Sequence, residues 1–207
     1  MSWISYSRTT WTKAGSRVAD AKTIEEFDSP ESLQAWLELH HDSSPGIWLK
    51  IAKKGTGVVT TTYDEALDVA LTYGWIDSQK RSYDDTYFLQ AFTRRRPRSP
   101  WSKRNREKAE AMIAAGTMRP GGLAEVDAAK GDGRWDRAYD GQSNAEPPAD
   151  FLKALEQNPD AKAFYATLNG INRYAIYYRI QAAKRPETRA GRVEKFVAML
   201  ARGETIH

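Results

Sequence analysis

The sequence predicts an α+β protein: a small antiparallel sheet with flanking helices, followed by a mostly helical carboxy-terminal part. Three observations carry this. β-Compatible runs occur only early, at Thr23–Phe27, Ile47–Ile51, Trp75–Asp77 and Tyr87–Thr93. Apolar stripes at helical spacing, with start and stop signals, fill the remainder. A turn-rich stretch at residues 131–149 (GDGRWDRAYDGQSNAEPPA) divides the chain. The expected organisation is a disordered extension over 1–22, an α+β region over 23–140, a linker over 141–149 and a helical region over 150–207 packed on the first.

Each element has a local reason. Ser29-Pro30-Glu31 reads as a helix start with a cap, a proline at the first turn and an acid at the positive end of the dipole. Leu33, Trp36, Leu37 and His40 then form one stripe. Pro45-Gly46 breaks the chain before the strand at Ile47–Ile51. Thr62-Tyr63-Asp64-Glu65 is a capping box, with Ala66, Leu67, Ala70 and Leu71 inward and Gly74 closing the helix. Trp75-Ile76-Asp77 and Tyr87–Thr93 read as a hairpin turning near Asp84-Asp85. Ser102 caps a helix closed by Gly116, and Pro120–Lys130 is a short Ala-rich helix. Helices over Asp150–Gln157, Asp160–Leu168, Asn172–Lys184 and Pro186–Arg202 complete the chain, with a turn at Asn169-Gly170.

Composition narrows the chemistry. The chain of 207 residues has no Cys and three His (His40, His41, His207), which removes disulfides, thiolate metal sites and a Cys nucleophile. No metal and no cofactor is expected. No P-loop, dinucleotide fingerprint, zincin or nucleophile-elbow motif occurs. No run is apolar enough to span a membrane, and residues 1–22 lack the apolar core of a secretory signal, so the cytoplasm is the expected location.

Net charge is +4, but its distribution is uneven. Residues 23–79 hold 3 bases and 10 acids, whereas residues 80–108 hold 10 bases and 3 acids. Within residues 94–108 (RRRPRSPWSKRNREK) there are 8 bases. Two readings follow: an anion site or nucleic-acid face, or an internal ion-pair network with the acidic block. Alternation along a strand sets Arg95 apart from Arg94 and Arg96. Ser102 begins a helix whose free N–H groups suit phosphate or carboxylate. Tyr83, Tyr87, Phe88, Phe92 and Trp101 interleave with the bases, as on a single-strand platform. Asp77 beside Trp75 is a candidate general acid or base. Arg134 and Asp136 flank Trp135 in a loop that reads as structured.

Four stretches taken together are characteristic: ALDVALTYGWIDSQKR, YFLQAFTRRRPRSPWSKRNREKAE, AAGTMRPGGLAEVDAAKGDGRWDRAYDG and AAKRPETRAGRVEKFVAML. Over about residues 24–204 the chain resembles the YdeI/OmpD-associated (OmdA) family, which carries a bacteriocin-protection label. One departure is Thr93-Arg94-Arg95, where the family pattern has Thr-Pro-Arg. The resemblance implies a stress- or resistance-associated protein, and brings no agreed reaction or ligand. Trp75, Asp77, Lys80, Arg95, Trp101, Ser102, Arg134 and Trp135 match the family pattern and are expected to converge on one Arg/Trp-lined cleft. The expected ligand is an anionic small molecule or phosphate-bearing partner, bound by Trp75, Lys80, Arg95, Trp101, Ser102, Arg134 and Trp135. The alternatives are a metal-free enzyme with Asp77 as acid/base, and nucleic-acid binding through residues 94–108.

Overall fold

A computed structural model describes residues 22–207; the extension expected over 1–22 lies, except for Lys22, outside the described residues. The first part runs β1 (Thr23–Glu25), α1 (Pro30–His40), β2 (Ile47–Ala52), α2 (Tyr63–Thr72), β3 (Trp75–Ser82), β4 (Tyr87–Arg94), α3 (Lys103–Ala114) and α4 (Pro120–Gly131). The second runs α5 (Ala149–Glu156), α6 (Pro159–Thr167), α7 (Gly170–Gln181) and α8 (Pro186–Ala201). Among the described residues no helix is long and apolar enough to cross a membrane.

Caps set the boundaries that were expected from the sequence. Ser29 and Ser32 form a reciprocal capping box at α1, and Thr62 and Glu65 do so at α2. The Ser102 side chain accepts from the Asn105 N–H at 3.2 Å and opens α3. Asn169 is itself a cap, accepting from the Asn172 N–H at 2.9 Å, so α7 begins at Gly170 where a turn was expected.

The four strands lie in the order β1-β2-β4-β3. β4 pairs antiparallel with both β2 and β3, but β1 pairs parallel with β2, Thr23 opposite Ile47. The small antiparallel sheet that was expected thus carries one short parallel edge strand. The reason is connectivity: α1 carries the chain back across the sheet, and a helical crossover delivers the next strand parallel to the first. β3 pairs with β4 through a bulge between Asp77 and Lys80.

Helices α1 and α2 cover one face. Ile47, Leu49 and Ile51 of β2 point to that face and are buried, with Trp48, Lys50 and Ala52 alternating outward. Leu33, Leu37, Leu67, Leu71, Trp75 and Phe92 share the same apolar cluster, which extends to Ala109, Val126, Trp135 and Ala138. The first part of the turn-rich stretch is thus packed into this cluster. Helix α4 begins directly on the end of α2: a Cβ at Gly122 would stand 2.5 Å from the Thr72 carbonyl oxygen, so only glycine permits the approach.

A second cluster, Phe151, Leu155, Ile176, Ile180, Val193, Phe196 and Leu200 among its members, lies within α5–α8. Polar contacts at residues 139–140 join it to the first. Ser102 and Tyr139 form a parallel bridge. Asp140 accepts from Lys103 at 2.7 Å and from the Tyr177 hydroxyl at 3.0 Å. Arg189 grips Asp150 through Nε at 2.6 Å and Nη2 at 2.9 Å. Burial opposes the Asp140 charge, yet Lys103 and Tyr177 outweigh it and hold this carboxyl below the usual range; Arg189 does the same for Asp150. A carboxyl depressed in the folded state stabilises fully above its unfolded pKa, near 3.9, and progressively less as pH falls through its folded value. The thermal midpoint is expected to drop more steeply below about pH 4 in the wild type than in Asp140→Asn, as calorimetric scans between about pH 3 and 7 would record.

Candidate anion site

A cavity of about 420 Å³ opens at the end of the sheet where β3 begins and β4 ends. Its wall includes Asp77, Arg94, Arg95, Arg96, Tyr139 and Lys22. Arg95 is the unusual member. It follows the last residue of β4, its N–H donates to the Gly74 carbonyl at 3.1 Å, and it is only 5% exposed. Its guanidinium lies 3.6 Å from the centroid of the Trp101 ring, which in turn meets Trp135 edge-on. Nη1 donates to the Pro100 carbonyl at 3.2 Å. Nε and Nη2 are buried with no partner, and the adjacent Trp101 Nε1 is in the same condition. Burial pushes the Arg95 pKa down, to about 10, while Glu125, Tyr139 and Asp77 favour the charge and Arg134 opposes it. Arg95 is therefore cationic at neutral pH.

Asp77 points to the helix side of the sheet and accepts from the Tyr63 hydroxyl at 3.0 Å. Burial first, and Asp77 second, push the Tyr63 phenol well above its ordinary value. Tyr139 is likewise raised by burial. The Arg96–Ser99 turn forms the lip: the Ser99 N–H donates to the Arg96 carbonyl at 2.9 Å, and Arg98 sits in the left-handed region at φ 67°. A side chain other than glycine held there costs about 1 kcal/mol or more.

The basic run divides in two. Arg104 pairs with Asp64, Lys108 with Asp68 and Lys103 with Asp140. Arg94, Arg96 and Arg98 form no ion pair among the described residues. The helical half is thus an ion-pair network with the acidic block, and the half before it is not.

The structure brings together only part of the expected constellation. Asp77 and Arg95 share the cavity, and Trp101 backs Arg95 from beneath. Trp75 is fully buried, edge-on to Trp36, with its Nε1 donating to the His41 carbonyl at 3.1 Å. Trp135 is core. Arg134 is already satisfied, its Nε held by Asp132 at 2.7 Å and its Nη1 by the Ser99 carbonyl at 2.9 Å. The Ser102 helix start is closed by its own chain, because the Lys103 N–H donates to the Tyr139 carbonyl at 2.8 Å and the Ser102 hydroxyl is used as the cap. Lys80 lies beyond the bulge, 4.0 Å over the Phe88 ring. Tyr63 and Tyr139, which the sequence reading passed over, occupy places at or beside the cavity. Tyr63 is the first residue of a capped helix, and Tyr139 arrives through a bridge between residues 37 positions apart.

Residues 144–203 match the family described as bacteriocin-protection, YdeI or OmpD-associated (OmdA), and residues 25–125 match a domain of unknown function, DUF8412. No curated protein and no solved structure matches the chain. The OmdA match covers α5–α8, whereas Asp77, Arg95 and Trp101 fall within the other match and Arg134, Trp135 and Tyr139 fall between the two. The likeness to the OmdA family thus rests on these carboxy-terminal helices.

Proposed function

We propose that this OmdA-like chain binds an anionic small molecule or phosphate-bearing group at Arg95. One observation carries the reading: Nε and Nη2 of Arg95, buried and unpartnered, form one edge of the guanidinium fork. That edge matches a carboxylate or phosphate bidentately. Buried donors without acceptors are uncommon in folded proteins and call for a missing partner. Arg94, Arg96 and Lys22 surround the same cavity, so a ligand with more than one negative charge suits it. Asp77, across the cavity, would accept a hydrogen bond from a ligand hydroxyl or ammonium group. Neither orphan nitrogen is open to solvent, so the anion reaches them when the Arg96–Pro100 turn, whose last carbonyl holds Nη1, shifts.

Titration calorimetry with inorganic phosphate, phosphate monoesters, and di- and tricarboxylates tests this. The wild type is expected to bind at least one class, and Arg95→Gln to weaken that binding by roughly ten- to a hundredfold, the scale of a hydrogen bond to a charged group. No heat from any class, or unchanged affinity in Arg95→Gln, refutes the reading.

A further inference from the structure

The face of the sheet opposite α1 and α2 has a chemistry of its own. Register places Trp48 opposite Ala91, and Lys50 and Arg81 opposite Leu89, so these side chains share the outward face. Leu89 and Ala91 are buried there, yet neither joins either hydrophobic cluster. Their cover is a layer of cations on rings: Arg81 stands 4.3 Å over Trp48, and Lys50 stands 3.8 Å over Tyr87. Arg81 and Lys50 thus occupy faces of the Trp48 and Tyr87 rings, and Tyr83 at the hairpin end is 49% exposed.

Charge identifies the occupant. Lys50 pairs with Glu26, but Arg81 and Lys22, both over the Trp48 ring, form no ion pair among the described residues. Aromatic rings capped by cations that can turn to a phosphate fit a polymer that alternates flat apolar rings with negative charges. The amino-terminal segment is a poor match, because residues 1–21 carry Arg8, Lys13 and Arg17 against Asp20 alone. A duplex is also a poor match, because its base faces are hidden in the stack. We infer that this outer sheet face binds single-stranded nucleic acid, its phosphates drawing Arg81, Lys50 and Lys22 off the rings so that bases stack on Trp48 and Tyr87. β4 spans 8 residues, so the face accommodates on the order of four nucleotides. This moves the nucleic-acid surface from residues 94–108, whose helical half is neutralised, to the sheet. It shares only Lys22 with the Arg95 site proposed above.

Fluorescence anisotropy of a labelled oligothymidylate of about 12 nucleotides, with the full chain at about 50 mM salt, tests the inference. Binding is expected to weaken with a log–log salt slope of about −2 for three neutralised phosphates. Trp48→Ala and Arg81→Ala should each weaken binding by roughly fivefold or more, and Trp48→Phe, which keeps a stacking ring, should restore most of the loss. Arg95→Gln should leave it unchanged. The inference fails if no binding occurs at low salt, if a duplex of equal length binds as well and Trp48→Ala changes nothing, or if Arg95→Gln abolishes binding while Trp48→Ala does not. Sedimentation showing a self-associated chain with no affinity for the oligonucleotide would assign the face to a second copy instead.

Discussion

Trp75→Ala is expected to cost about 3–5 kcal/mol of unfolding free energy, the range for removing a buried aromatic ring from a packed core. With no exposed surface, the indole has no ligand-facing edge to lose. It meets Trp36 of α1 edge-on at 6.0 Å and donates Nε1 to the His41 carbonyl at the end of α1. Alanine would leave a cavity beneath α1 and also strand that carbonyl. For a chain of this length each kcal/mol moves the midpoint by about 2–4 °C, so a fall of roughly 6–20 °C is expected. Unfolding in denaturant should be followed by far-ultraviolet circular dichroism, since removing one of 7 Trp changes the fluorescence baseline. A loss below about 1 kcal/mol would mean that Trp75 is not the core residue that its burial describes.

Trp75 also shows how far local pattern reaches. Trp75 and Asp77 alternate onto the same side of β3, which made them look like one site. Their surroundings differ because of what packs above them. α1 covers Trp75, whereas Tyr63 of α2 meets Asp77 at the margin. Caps, stripes and the hairpin were legible because each is written within about four residues of itself. The parallel pairing of β1 was not. A strand of 3 residues has too little pattern to state its direction, and the crossover through α1 decides it.

The basic run was legible in the same partial way. Asp64 and Asp68 are four apart on α2, and Arg104 and Lys108 are four apart on α3, so two facing helices present matched pairs. That spacing is in the sequence and favours the ion-pair reading for the helical half. Nothing local marks Arg95 for burial. Alternation separates it from Arg94 and Arg96, but its depth comes from Gly74, Pro100 and Trp101, which tertiary packing assembles. Tyr139 is further still from local pattern, since only the bridge to Ser102 brings it to the cavity.

Arg95→Met is expected to raise the thermal midpoint of the free protein and to remove the anion's stabilising effect. Methionine is long enough to keep the packing on Trp101 and places a polarisable sulfur against the ring. It removes a buried cation with two unmet donors, each unmet group costing about 1–3 kcal/mol. Against that stands the loss of one hydrogen bond to the Pro100 carbonyl, about 0.5–1.5 kcal/mol. Glu125 and Asp77 favour the Arg95 charge, but neither is within ion-pair distance of it. The balance is a gain of about 1 kcal/mol or more for the variant without ligand, which is about 2–4 °C. Saturating anion should reverse the order, because a ligand at about 100 times its dissociation constant adds about 2.7 kcal/mol to the wild type and nothing to the variant. Paired melting curves with and without phosphate or the best carboxylate make the comparison. A lower midpoint for Arg95→Met in both conditions would assign Arg95 to the framework of the fold. A crossing of the two orders would mean that an unsatisfied buried charge is kept, at a cost in stability, for the anion that completes it.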